Sequence, residues 1–239
     1  MTTTNRSQLY VHWWDFTASI PELMQSLNHL VAAGKVLYLG ISDTPAWVVS
    51  KANEYARNHG LRQFSVYQGR WNAASRDLER DVIPMVRAEN MGLVPWGVLG
   101  SGAFKSAVQR EAEAAGEGRK NAPTEVHERV SKALEAVGER KGVSHLAVAL
   151  AYVLAKEPYV FPLVGCRTVR HLEGNIEALS VKLSDADIKE IEEASPLDLG
   201  FPLNFLYGPQ IPQNSQDLWL SKMGGDFEYV AGPKPLNRE

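Results

Sequence analysis

The sequence predicts an α/β fold of βα units around a parallel sheet. Short apolar runs rich in β-formers alternate with longer amphipathic runs, the pattern of strands followed by crossover helices. The run Val160 to Val164 is short and apolar, as a strand buried in a parallel sheet should be. The chain has 239 residues, 44% of them hydrophobic, which is enough for one large core.

Five strands are expected. The first is Leu9 to His12, followed by a helix from about Ile20 to Ala33 with Leu23, Leu27, Leu30 and Val31 on one face and Gly34 closing it. Val36 to Ile41 is the second strand. Thr44 and Pro45 then offer an N-cap and a first-turn proline for a helix to about His59. Phe64 to Gln68 is the third strand, and Gly92 to Trp96, reached through a helix ending near Asn90, is the fourth. Val160 to Val164 is the fifth.

Between the last two strands, Lys105 to Asn121 reads as a mobile surface excursion. Glu125 to Lys141 then carries an apolar stripe of Val126, Val130, Ala133, Leu134 and Val137, and Ser144 caps a nearly all-apolar, deeply buried helix. A last helix starts at Ser184, with Asp187 as its capping-box partner. From Asp198 the chain is rich in proline and aromatics and reads as an irregular arm. The expected organisation is therefore a main domain over 1–197 and an arm over 198–239.

Composition narrows the function. Lys plus Arg at 25 against Asp plus Glu at 28 leaves a net charge of −3, which argues against nucleic acid or an anionic membrane as partner. The single Cys166 excludes an intramolecular disulfide and a multi-cysteine metal site, so no metal is expected. No apolar run approaches the roughly 18 residues of a membrane span. The polar MTTTNRSQ start is not a secretory leader, and a soluble, cytoplasmic setting is the expectation.

In parallel α/β folds, functional groups gather beyond the C-terminal ends of strands. Those ends here are His12-Trp13-Trp14-Asp15, Ser42-Asp43, Gln68 to Asn72, Trp96 to Gly102 and Gly165 to Thr168. Taken singly each has a structural reading: a hydrogen-bonded histidine, a cap at Ser42 or Thr44, packing at Trp13. Five polar and aromatic ends together point to a site.

The runs LYVHWWD, LVAAGKVLYLGISD, SVYQGRWN with LERDVIPMVR, GLVPWGVLGSG, FPLVGCRTVRHLEGNIEAL and GFPLNFLYG resemble the aldo-keto reductases, in particular a fungal aryl-alcohol dehydrogenase-like branch that includes norsolorinic acid reductases. The resemblance implies part of a (β/α)8 TIM-type barrel, with strands equivalent to the fourth through eighth and a long C-terminal arm. His12 matches the family's catalytic histidine, which donates to the substrate carbonyl oxygen, and Trp13 matches an aromatic of the substrate pocket. Ser42 and Gln68 match groups that hydrogen-bond the nicotinamide carboxamide, with Asp43 where many relatives have Asn. Trp96 matches the ring that stacks on the nicotinamide. Gly97, Val98, Leu99, Gly100 and Lys105 match the loop over the pyrophosphate. Gly165, Arg167, His171 and Asn175 match the loop and helix start that bind the adenosine phosphate, and a guanidinium beside a helix N-terminus suits the 2′-phosphate of NADP rather than NAD.

In the family a tyrosine protonates the carbonyl oxygen, assisted by a lysine and an aspartate. All three belong to the first three βα units, and this chain begins at what resembles the fourth strand. The expectation is an NADP(H)-dependent oxidoreductase that interconverts small aromatic or polyketide carbonyls and alcohols, shortened at its N-terminus. The alternatives are a catalytically dead nucleotide-binding remnant and an interaction protein. Open sheet edges would favour self-association.

Overall fold

The computed structural model describes residues 6–106, 108–109, 123–208, 212, 215–226, 228, 230 and 232–239. Most of the Lys105–Asn121 excursion lies outside these residues. The chain divides into two compact units, the first formed by Met1–Arg70, Asp81–Trp96 and Tyr159–Phe161, the second by Trp71–Arg80, Gly97–Pro158 and Pro162–Glu239.

The first unit is the sheet and its helices. Strands β1 (Arg6–His12), β2 (Val36–Ser42), β3 (Phe64–Arg70) and β4 (Gly92–Trp96) pair in parallel in that order. Helices α1 (Ile20–Ala32), α2 (Ala46–Asn58) and α3 (Val82–Ala88) connect them. Parallel neighbours need such crossovers because each strand must return to the same end of the sheet. Leu39, Ile41, Phe64 and Leu93 are buried from the strands, with Val48, Val49, Ala52 and Ala56 of α2. The buried stripe of α1 is Ile20, Met24 and Leu27, while Leu23, Leu30 and Val31 are only half-buried, so the buried face is turned about the helix axis from the expected one.

The expected fifth strand does not form. Val160 makes one parallel bridge to Leu93, in which Leu93 N–H donates to Tyr159 O at 3.0 Å and Phe161 N–H to Leu93 O at 2.8 Å. The next donor that β4 would turn to this neighbour is at Pro95, which has no N–H, so the ladder stops there. Phe161, Leu163 and Val164 are accordingly exposed rather than buried. Thr44 is also not the cap of α2: Pro45 occupies that position, and the Thr44 hydroxyl donates to Ser42 O at 3.0 Å.

The second unit is helical among its described residues: α4 (Glu125–Lys141), α5 (His145–Lys156), α6 (Val169–Glu177), α7 (Asp185–Glu193), α8 (Leu203–Tyr207) and α9 (Trp219–Met223), with short 3-10 turns. Helix α5 buries every residue from Ala147 to Ala155. Thr124, Ser144, Thr168 and Ser184 each accept a first-turn N–H from their helices, and Asp187 completes the capping box of α7. None of the described helices is long and apolar enough to cross a membrane.

A buried ion cluster ties the loop after β3 to this unit. Arg76 grips Glu79 through the Nε–Nη2 edge of its guanidinium, at 3.0 and 2.9 Å, and donates from Nη1 to Ser195 O at 3.1 Å. The Trp71 indole N–H donates to Glu79 Oε1 at 3.0 Å, and Lys156 lies against Glu79 and Glu192. Burial would raise the Glu79 carboxyl, but Lys156 and Arg76 more than offset it and hold it below its ordinary value. The Tyr152 hydroxyl, pushed well above its usual range by burial, donates to Glu192 Oε1 at 3.1 Å.

The last residues of the 198–239 segment are locked in place. Asn237 is fully buried; its side-chain amide donates to Ala178 O at 3.0 Å and Val181 O at 2.6 Å, and its own carbonyl accepts from Leu183 N–H at 2.9 Å. Replacing it takes the side-chain donor from the buried Val181 carbonyl, leaves Ala178 O with Val181 N–H alone, and opens a cavity, at about 1–3 kcal/mol for the unmade bond and more for the void. We expect Asn237→Ala to lose about 2–4 kcal/mol of stability by urea denaturation. A loss below about 0.5 kcal/mol would mean that the segment does not hold the fold.

Candidate active site

The geometry of the sheet decides which side chains meet. In register, His12 faces Ser42 across β1 and β2, and Ser42 faces Gln68 across β2 and β3. Cross-strand partners point to the same face, so these three lie in one row at the C-terminal edge. The row depends on a register shift at Leu39/Gly40, where Ser65 is the additional residue on β3. Without it Ser42 would face Tyr67, because a one-residue slip inverts the faces.

The backbone leaves each strand abruptly after this row. Trp13 and Asp43 adopt φ of 56° and 49°, left-handed conformations uncommon for non-glycine residues. Their N–H groups extend the ladder by one bond each, Trp13 to Ser42 O at 2.8 Å and Asp43 to Gln68 O at 3.0 Å. Trp13 is exposed as a result. Asp43 is turned back over the row, where its carboxylate accepts from the Ser42 hydroxyl at 2.6 Å and from the Trp96 indole N–H at 3.3 Å, and lies 3.4 Å from His12 Nε2. His12, Ser42, Asp43 and Trp96 are therefore brought together, with Gln68 beside Ser42. An amide at position 43 could donate in this place; the carboxylate only accepts.

Two residues outside the expected set support the row. The Tyr67 hydroxyl donates to Thr44 O at 2.8 Å and accepts from Thr44 N–H at 3.2 Å, which fixes the turn after Asp43. Burial pushes Tyr67 up to about 12, with Asp43 and Asp81 adding to the shift against the Thr44 hydrogen bond. Strand periodicity signals Tyr67 as facing away from the row, but its bonds to a backbone turn have no sequence signature. Tyr10 shares the His12 face two residues deeper, and its ring covers Gly40, where a Cβ would sit 2.5 Å from it.

The second unit holds the other expected groups. Gly97 and Gly100 have φ of 69° and 67°, and Gly100 N–H closes the turn onto Gly97 O at 2.9 Å. Gly100 has a second constraint, since a Cβ there would meet the Phe104 ring at 2.8 Å. Val98 is buried beneath the turn and Leu99 half-buried. Lys105 N–H donates to Ser131 Oγ at 3.3 Å, which joins the end of this loop to α4. Gly165 and Arg167 are exposed before the N-cap Thr168, whose hydroxyl accepts from His171 N–H at 3.3 Å. Asn175 donates to Cys166 Sγ at 3.2 Å, so the α6 start and the loop before it are braced from within.

Comparison with known proteins gives the family of the chain. A family model described as the aldo/keto reductase family matches residues 2–196, and the chain belongs to that family. It is 55% identical over 240 residues to norsolorinic acid reductase B of Dothistroma septosporum, covering 95% of this chain and 60% of that protein. A putative aryl-alcohol dehydrogenase of Saccharomyces cerevisiae is 52% identical, covering 92% of this chain and 79% of that one. The crystal structure of a thermostable aldo-keto reductase with the inhibitor epalrestat superposes with a TM-score of 0.65 at 20% identity, over 80% of this chain and 60% of that one, a likeness of fold alone. The chain spans about three fifths of the length of the norsolorinic acid reductases it matches.

Tyr67 gives this site a pH signature. Folding raises its pKa above the ordinary 10.0 to about 12, so its contribution is intact below pH 10 and is lost as pH rises through 12. Chemical denaturation of wild type should therefore show an alkaline loss of stability that Tyr67→Phe reduces. Parallel pH profiles for the two proteins would count against this role.

Proposed function

We propose that the chain acts as an oxidoreductase of the aldo-keto reductase type, using NADP(H) to interconvert aryl or polyketide aldehydes or ketones with the corresponding alcohols. The observation that carries this reading is the row His12–Ser42–Gln68 with Asp43 and Trp96 closing over it. Family membership supplies the class of chemistry. The four parallel strands and the single bridge at Val160 are read as the fourth to eighth strands of a (β/α)8 barrel. Residues 1–197 form the barrel part in this reading, and 198–239 its arm.

The residues present fit a dinucleotide. Ser42 and Gln68 offer hydroxyl and amide groups to a carboxamide, and Trp96 carries a partly exposed indole to stack on a flat ring. Left-handed glycines at Gly97 and Gly100 let backbone approach a pyrophosphate closely. Arg167 and the N-terminal turn of α6 offer a guanidinium and N–H groups to a 2′-phosphate, which favours NADP over NAD. When bound, the nicotinamide supplies or accepts the hydride. His12 orients the substrate by donating to its carbonyl oxygen, and the nearby Asp43 carboxylate steadies the imidazole. Trp13, held out by its left-handed backbone, lines the approach of an aromatic substrate.

A second reading, cofactor binding without turnover, is favoured by the tyrosines of the sheet. Tyr67 is committed to Thr44, Tyr10 lies below the row over Gly40, and Tyr38 is on β2 four residues before Ser42. None of the three presents a phenol in the row. Self-association belongs to the same proposal, since β1 has a strand neighbour on one side only among the described residues, and so does a soluble, cytoplasmic setting.

Titration with NADP(H), read by tryptophan fluorescence, should show saturable quenching, and NADPH should be consumed with an aromatic aldehyde. His12→Ala should lower kcat/KM by about 100-fold or more. Arg167→Ala should raise the Kd for NADP(H) about tenfold with little effect on NAD(H). Binding without turnover would select the second reading; no binding would remove both. On gel filtration we expect a species larger than the monomer, and a clean monomer would reject self-association.

A further inference from the structure

We infer that Asn72 is a positioning residue for the glycine turn, setting the backbone N–H groups with which that turn meets the diphosphate of a dinucleotide. This rests on the proposed function for the ligand, but not for the clamp. Asn72 lies in the second unit, in the loop after β3, and its side chain is buried. Its Oδ1 accepts from Ala74 N–H and Ser75 N–H, both at 2.8 Å, which closes a tight turn and fixes the orientation of the amide. That leaves Nδ2 directed outward from the loop, and it donates to Gly97 O at 2.9 Å.

The Gly97 carbonyl thus accepts twice, from Asn72 and from Gly100 N–H at 2.9 Å. Two donors use both lone pairs and hold the carbonyl in one direction. The peptide between Gly97 and Val98 is trans, so its N–H points opposite to its carbonyl. Pinning Gly97 O toward Asn72 therefore aims Val98 N–H away from the loop. Gly97 has no side chain to restrict its backbone and a φ of 69°, so an external tether is needed to select one orientation.

The platform beneath Asn72 is rigid for an independent reason. Trp71, its neighbour, is fully buried and bonded to Glu79, and Glu79 is held by Arg76 and Lys156. An ion pair this buried has little freedom to rearrange, because moving either partner exposes an uncompensated charge. The loop can therefore transmit a fixed position to the turn. Neither the charge cluster nor the Asn72 turn is otherwise used by the proposed chemistry.

Asn72→Asp separates the two functions of the side chain. It keeps oxygens for Ala74 and Ser75 but replaces the donor at Gly97 with a carboxylate oxygen. The first readout, hydrogen exchange of the cofactor-free protein, needs no ligand: exchange at Gly100 should accelerate at least about tenfold, with α5 protection unchanged. The second is NADP(H) affinity, which should weaken about tenfold at unchanged Tm. Unchanged Gly100 exchange overturns the clamp. Accelerated exchange with wild-type affinity overturns its role in binding. Accelerated exchange in Asn72→Asp, where the wild type itself binds no NADP(H), keeps the clamp and removes the cofactor reading instead. If α5 protection falls in Asn72→Asp, the uncharged Asn72→Ser, too short to reach Gly97, gives the same decision.

Discussion

The extra residue Ser65 in β3 is the constraint on which the candidate site depends. Counting from the Leu39–Phe64 pair, β3 places Tyr67 opposite Ser42 without an extra residue and Gln68 with one. The shift at Leu39/Gly40 selects Gln68. Tyr67 is thereby sent to the opposite face, where it secures the backbone turn at Thr44. That turn keeps Asp43 in its left-handed conformation over the row, and Asp43 in turn collects Ser42, Trp96 and His12. One inserted residue therefore determines both the polar row and the turn that closes it.

The two units carry their polar groups under opposite conditions. At the strand ends of the first unit the ionic contact is solvent-accessible, and an exposed pair of this kind contributes little to stability. Such a cluster is open to a ligand and cheap to rearrange. In the second unit Arg76 and Glu79 are almost wholly buried, so their value lies in a fixed geometry rather than in net stabilisation. The glycine turn beside them consists of residues with few conformational restraints of their own, and it gains definition from that rigid loop.

Much of this was legible in the residues. The β1 to β4 strands, the caps at Ser144 and Ser184, and the buried helix after Ser144 follow from local patterns. The family resemblance marks His12, Ser42, Gln68 and Trp96 because they stand at strand ends in a recognisable order. The fifth strand that the sequence points to does not form, because an apolar run reports burial potential and not the ladder it must join. Pro95, which ends that ladder, lies on the neighbouring strand, far away in sequence. Thr44 has the composition of a cap, but its hydroxyl found a nearer carbonyl at Ser42. The Asn72 contact with Gly97 and the burial of Asn237 are tertiary events without local signature.

The left-handed backbone at Asp43 also limits which side chains can stand there. A β-branched or bulky side chain is strained in that conformation, whereas Gly, Asn and Asp tolerate it. An exchange between aspartate and asparagine there is thus a move within a very short list. It exchanges an amide for a charge without asking the backbone to move. Such an exchange acts through electrostatics, and the sheet edge can change the polarity of its hub while the chain trace stays the same.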